Sequence, residues 1–203
     1  WRPVSRWCAR RKLMHTGHLL GEECLAWTTT YSGDFFSDLK HLQAPGMDLL
    51  GGETSYDAGP IWRFGNLPRA GLIVTAKLLS GTARYAGRSR ALCEAFGVLP
   101  WSQTLADQKH VLDWLCALGV NLINDNLLTY TIKGFRKRGG SGKHFSQPWW
   151  VYYRQFSDYT RRVCALAARG RLEADVAVLY PTTQAWCLMA PRGDTGMKVL
   201  RDA

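Results

Sequence analysis

The sequence predicts an α/β fold assembled from parallel βα units. Three observations predict it. Four short strand-like segments, near residues 12–16, 47–50, 91–94 and 120–123, read as the brief runs that buried parallel strands present. Stretches with apolar residues three and four apart separate the later ones at βα spacing. Polar residues gather at the C-terminal end of each strand: His18, Glu53, Glu94, and the run from Asn121 to Asn126. In β/α barrels that end is the face where the active site opens.

With 203 residues the chain is long enough for a domain with a real core. At 46% hydrophobic and 21% charged, its composition is that of ordinary globular proteins. The net charge of +10 raises nucleic acid as a partner. Lysines and arginines are spread along the chain, however, and only Arg10-Arg11-Lys12 and Arg136-Lys137-Arg138 cluster, so no nucleic-acid stripe is expected. Cys8, Cys24, Cys93, Cys116, Cys164 and Cys187 contain no Cys-x-x-Cys pair, which speaks against a thiolate zinc site. No disulfide framework is read from them. No apolar run is long enough for a membrane span. No secretory leader is visible, and the chain, opening at Trp1, reads as the middle of a longer one. Nine tryptophans and eight tyrosines suit sugar or base stacking as well as core filling.

In order along the chain, residues 1–12 are basic and aromatic with no clear period. Lys12 to Thr16 reads as a strand that runs into a loop holding His18 and the adjacent acids Glu22 and Glu23. Asp34 to His41 reads as a helix that Pro45-Gly46 breaks off. The strand Met47–Leu50 ends at Gly51-Gly52, and Glu53, Tyr56 and Asp57 follow in its loop. A helix over roughly 71–86 shows Leu72, Ile73, Ala76, Leu79 and Ala83 on one face. Beyond the Glu94 strand, Thr104 caps a helix whose Leu105, Val111, Leu112, Leu115 and Leu118 make its apolar face. Gly119 ends it. Residues 131–148 form a basic, Gly-rich loop. Pro148 opens an aromatic helix from Trp149 to Arg169, and Asp175–Pro181 reads as a further strand. Residues 1–147 thus make one unit, and 148–203 the opening helix and first strand of a following domain.

Glu94 is the carboxylate inside the apolar run Ala91 to Phe96. A bare carboxylate at a strand end must be hydrogen-bonded, paired or functional, because burying it alone is too costly. Two readings stay open: a structural bridge to Arg88 or Arg90, or a general base kept charged by one of them. His18 among its neighbouring acids is a candidate for binding substrate or holding a cation.

A set of motifs then resembles the α-L-rhamnosidases of glycoside hydrolase family 106. They are Gly17-His-Leu-Leu-Gly-Glu-Glu23, Tyr31-Ser-Gly-Asp34, Pro45-Gly-Met-Asp-Leu-Leu50, Arg88-Ser-Arg-Ala-Leu-Cys-Glu-Ala-Phe-Gly97, Gly119-Val-Asn121, Lys133-Gly-Phe-Arg-Lys137, Pro148-Trp-Trp-Val-Tyr-Tyr-Arg154, Asp158-Tyr159 and Val176-Ala-Val-Leu-Tyr-Pro181. They run in one order from about residue 12 to 186. The barrel β-galactosidases are a more distant resemblance, through the strand-end Glu and the Val-Ala-Val-Leu-Tyr-Pro step.

The resemblance implies the C-terminal half of a (β/α)8 TIM-type barrel, followed by the start of a second α/β domain. It implies removal of terminal L-rhamnose from plant or microbial glycans with inversion. Glu94 would be the general base, and the second catalytic carboxylate would lie on an earlier strand outside the chain. His18, Glu23, Glu53, Trp101, Asn121, Asn126 and Tyr130 would contact the sugar. The family is reported to use calcium, whose ligands the sequence does not place. Where relatives carry a His after the last strand, this chain has Asn126, which leaves the sugar open. A bacterial periplasmic or secreted enzyme fits better than a cytoplasmic one, with compartment and oligomeric state undetermined. The alternatives are a non-catalytic carbohydrate- or polyanion-binding fragment, or a barrel β-galactosidase-like glycosidase.

Overall fold

The computed structural model describes residues 1–49, 69–97, 101–134, 142–170 and 173–188. Strands β1 (Thr16–Gly17), β2 (Ala44–Asp48), β3 (Leu92–Ala95) and β4 (Leu122–Asp125) form one four-stranded sheet in sequence order. Every neighbouring pair is parallel. Parallel strands joined in order by helical crossovers step around in one direction. The result is a mixed α/β fold whose sheet curls as half of a barrel.

The helices are α1 (Arg2–Arg10), α2 (Leu25–Tyr31), α3 (Phe35–Leu39), α4 (Arg69–Tyr85), α5 (Leu105–Ala117), α6 (Tyr153–Ala167) and α7 (Thr182–Leu188). Alternate side chains of a strand face opposite ways. Met47, Cys93 and Ile123 are partners in register and share the helix-facing layer. Met47 and Cys93 are fully buried there with Ala76 and Leu79 of α4 and Val111, Leu112 and Leu115 of α5. α5 starts on a capping box. Thr104 accepts from the Asp107 amide, and the Asp107 carboxylate accepts from the Thr104 amide, so two otherwise unpartnered donors are satisfied. Gly119 turns at φ +101°, and a Cβ there would stand 2.7 Å from the Ser80 Cβ. Only glycine lets α5 hand over to β4 this closely against α4.

Several expectations shift. Residues 2–10 are helical, with Pro3 in the first turn, and β1 begins only at Thr16. α2 was not visible in the sequence because its Leu-Ala-Trp-Thr-Thr-Thr-Tyr run is rich in β-branched residues. Its threonines stay helical by bonding back one turn, Thr29 to the Leu25 carbonyl at 2.6 Å and Thr30 to the Ala26 carbonyl at 2.7 Å. On α4, Ile73 faces solvent, and the buried stripe runs through Thr75, Ala76, Leu79, Thr82 and Ala83. The expected helix from Trp149 enters through a 3-10 turn, Trp150–Tyr152, before α6 begins.

The expected strand at 175–181 joins no sheet among the described residues. Val176, Val178 and Leu179 are 79%, 88% and 93% exposed. A strand needs a neighbour for its backbone groups, and this segment instead leads toward α2 and α3. The Tyr180 ring meets Phe36 edge-on at 6.1 Å, and Trp186 Nε1 donates to the Gly33 carbonyl at 2.8 Å.

Candidate functional site

Asp48, Glu94 and Asn124 pair in register, so they share the sheet face turned away from α4 and α5. Glu94 sits near the C-terminal end of β3 with its side chain 20% exposed. Two residues later Phe96 takes φ +67°, a left-handed conformation that a bulky side chain adopts only when its surroundings hold it. Here the holding contact is the Phe156 ring of α6, 5.7 Å away and edge-on. The turn bends the chain out of the strand directly after the carboxylate.

Both Glu94 oxygens receive donors. His18 Nε2 stands 2.8 Å from Oε2, and Asn126 Nδ2 donates to Oε1. His18 arrives from the loop after β1, Asn126 from the loop after β4. The other ring nitrogen, Nδ1, lies 2.6 Å from the Leu19 carbonyl, which can only accept, so Nδ1 carries a hydrogen. Nδ1 is also 3.5 Å from buried Glu22. The Glu22 carboxylate is the largest cause that raises the His18 pKa to about 10. Burial opposes it, and the Leu19 carbonyl and the charges of Glu22 and Asp48 add to it. An imidazolium bonded to Glu94 at Nε2 and to the Leu19 carbonyl at Nδ1, with Glu22 nearby, keeps Glu94 fixed while each of its oxygens retains a further lone pair for a water.

Arg88 and Arg90 do not play the expected part. Arg90 donates to the Asn121 carbonyl at 3.1 Å, and Arg88 Nε is buried without a hydrogen-bond partner. The donors on Glu94 are His18 and Asn126 instead.

The other expected contacts scatter. Of the adjacent acids it is Glu22 that faces His18, while Glu23 is half-buried in the turn before α2. Asn121 is buried and bridges β3 to β4: its Oδ1 accepts from the Ala91 amide at 2.9 Å, and its Nδ2 donates to the Ser89 carbonyl at 3.0 Å. It lies three residues before Asn124, about 10 Å along the strand from the Glu94 level. Trp101, 41% exposed, follows β3 with its ring 6.5 Å from His144. Tyr130 is 95% exposed in the loop after β4. Glu53, and the loop basic residue Lys137, lie outside the described residues.

Two groups escaped the sequence reading. Asp48 is the carboxylate inside the β2 run, the same signal that marked Glu94. A second cluster lies on the opposite, helix-facing side of β4: Lys143 Nζ donates to Asp125, and the Tyr153 hydroxyl donates to the other Asp125 oxygen. Lys143 is 3% exposed, and burial lowers its pKa despite Asp125.

His18, Asp48 and Glu94 each offer an atom within 4.8 Å of the others, a spacing that could hold an ion. The donor set does not fit calcium by itself. Calcium takes six to eight oxygens, and one of these three donors is an imidazole nitrogen that already points its hydrogen at Glu94.

These observations define the class: a parallel βα half-barrel with a doubly tethered carboxylate at a central strand end. Among solved structures, the chain is similar to a rhamnosidase from Novosphingobium sp. PP1Y, with a TM-score of 0.57 and 22% sequence identity over 83% of this chain. The chain spans 15% of the length of that protein. The likeness is one of α/β fold. No protein-family signature matches the chain, and no curated protein does. Among the described residues no helix is long and apolar enough to cross a membrane.

Proposed function

We propose that this chain is the later half of a glycoside hydrolase barrel that removes terminal L-rhamnose, with Glu94 as the general base. One observation carries the reading. The carboxylate at the end of a central parallel strand is held by side chains from two other strand-end loops, His18 and Asn126. Three loops converging on one group is how a barrel mouth builds a site. The resemblance of the motifs and the fold of the rhamnosidase support the sugar class.

In inversion, Glu94 takes a proton from a water as that water attacks the anomeric carbon, and a second carboxyl protonates the leaving oxygen roughly 6.5–9.5 Å away. Asp48 offers an oxygen within 4.8 Å of one from Glu94, closer than the roughly 6.5–9.5 Å of an inverting pair, so the acid is assigned elsewhere. By the resemblance, the acid comes from an earlier barrel strand outside this chain, and residues 148–203 open a following domain. Trp101 and Tyr130, both exposed, are the aromatic side chains proposed to contact the sugar.

The test is hydrolysis of aryl glycosides by a protein that carries this chain within a complete barrel. Turnover of the α-L-rhamnoside, with the β-galactoside left intact, is the expected result. Binding of rhamnose-bearing glycans without turnover would favour a carbohydrate-binding role, and cleavage of the β-galactoside alone would overturn the sugar assignment.

A further inference from the structure

One buried lysine touches the exits of two neighbouring strands, β3 and β4. Lys143 Nζ donates to Asp125 and, at 2.9 Å, to the Tyr153 hydroxyl. The same ammonium stands 5.0 Å from the centre of the Phe96 ring and 4.9 Å from that of Tyr153, within reach of both ring faces. Asp125 closes β4, and Phe96 makes the left-handed turn that follows β3. Lys143 is itself fixed, because its carbonyl accepts from the Thr129 amide at 3.1 Å.

The chain neighbours of these two anchors are residues of the candidate site. Asn126 directly follows Asp125, and Glu94 stands two residues before Phe96. Successive side chains of an extended chain point to opposite sides. With Asp125 drawn to the helix-facing side, Asn126 is turned to the face of Glu94, where its Nδ2 donates to Oε1. The Asn126 amide also donates to the Ala95 carbonyl at 2.9 Å, which carries the strand pairing one residue past β4. A shift of Asp125 would leave the Lys143 ammonium buried without its counter-charge, a costly state, so the pair tolerates little displacement.

We propose that Lys143 is a positioning residue for this site: by holding Asp125 and the Phe96 turn together, it sets Asn126 against Glu94. Its effect on turnover rests on the reading of Glu94 as the base, whereas the placement of Asn126 does not. Lys143 acts through its neighbours and touches no reacting atom. The ion pair on the helix-facing side of β4 thus fixes the geometry on the other side.

The experiment compares wild type, Lys143→Met, Asn126→Ala and the double variant in a protein that carries this chain within a complete barrel. Methionine keeps much of the length and removes the charge. Lys143→Met should lower kcat on an aryl α-L-rhamnoside by up to roughly a hundredfold, the scale of a misplacement of about 1 Å, with KM little changed. The double variant should stay within about twofold of the more impaired single variant, because both changes act on one arrangement. A crystal structure of Lys143→Met should show Asn126 Nδ2 withdrawn from Glu94. Where that variant fails to fold, Lys143→Met with Asp125→Asn removes both charges and leaves neither buried alone. An Asn126–Glu94 contact unmoved in the crystal overturns the proposal, as do losses that multiply in the double variant. So does an unchanged kcat beside an inactive Glu94→Gln. Near-normal turnover in Glu94→Gln removes the reading of the base instead, and the crystal contact then decides the placement of Asn126 by itself.

Discussion

His18 Nε2 and Glu94 Oε2 lie 2.8 Å apart although 76 residues separate them in the chain. The contact joins the loop after β1 to the end of β3, across the whole of β2. It gives the candidate base a fixed orientation and a positive neighbour. Glu22 and Asp48 surround the same imidazole, so its charge is the hub of three carboxylates.

That charge sets a pH dependence. The His18 pKa is raised from 6.5 to about 10 in the folded protein. A raised pKa in the folded state means the protonated form is favoured by folding. Its contribution is fully present below about 6.5 and is lost as pH rises through about 10. The urea midpoint should therefore fall across that window, and His18→Gln should flatten the fall. In a histidine nuclear magnetic resonance titration, His18 should stay protonated at pH values where free histidine is neutral. An imidazole that titrates near the ordinary 6.5 would contradict the network.

Asn126 tethers the second oxygen of Glu94. A hydrogen bond to a charged group is worth about 1.5–3 kcal/mol. Asn126→Ala should thus lower kcat roughly ten- to hundredfold in the complete barrel, with KM little changed, since positioning rather than uniform binding is lost. A change confined to KM would make Asn126 a sugar contact instead.

Gly46 tests the sheet itself. A Cβ there would stand 2.6 Å from the Gly17 carbonyl and 3.0 Å from a Leu92 methyl. The carbonyl belongs to the neighbouring strand and cannot swing away. Gly46→Ala should cost about 1–3 kcal/mol, the range of overpacking in a closed core, as read by urea denaturation. A neutral result would mean that β1 does not lie on β2 in this register.

How much of this was legible in the sequence differs from residue to residue. β3 and α5 were, because their signals are local: an apolar run around one acid, and Thr104 ahead of an apolar face at helical spacing. Strand order followed from the alternation of strands and helices. The partners of Glu94 were not legible, since Arg88 and Arg90 are near in sequence whereas His18 and Asn126 are near only after the sheet closes. His18 and Asn126 stood among the expected polar residues, but their shared target did not show. Asn121 fits the strand-end pattern by its neighbours, yet three residues along a strand put it at another level, tied to backbone groups. The Asp125, Lys143 and Tyr153 cluster draws on three elements and left no local trace.

The central claim is that Glu94 supplies the basic oxygen. Glu94→Gln keeps the size and, through its one amide oxygen, one of the two accepting contacts with His18 and Asn126, but it removes the basic carboxylate. The decisive measurement is turnover of an aryl α-L-rhamnoside by wild type and by this variant, in a protein that carries the chain within a complete barrel, with folding checked by circular dichroism. Turnover should fall by roughly 10²–10⁴, the usual share of general base catalysis, while substrate binding survives. A folded Gln variant with near-normal turnover would make Glu94 a structural anchor for His18 and Asn126, and the proposed site would be wrong.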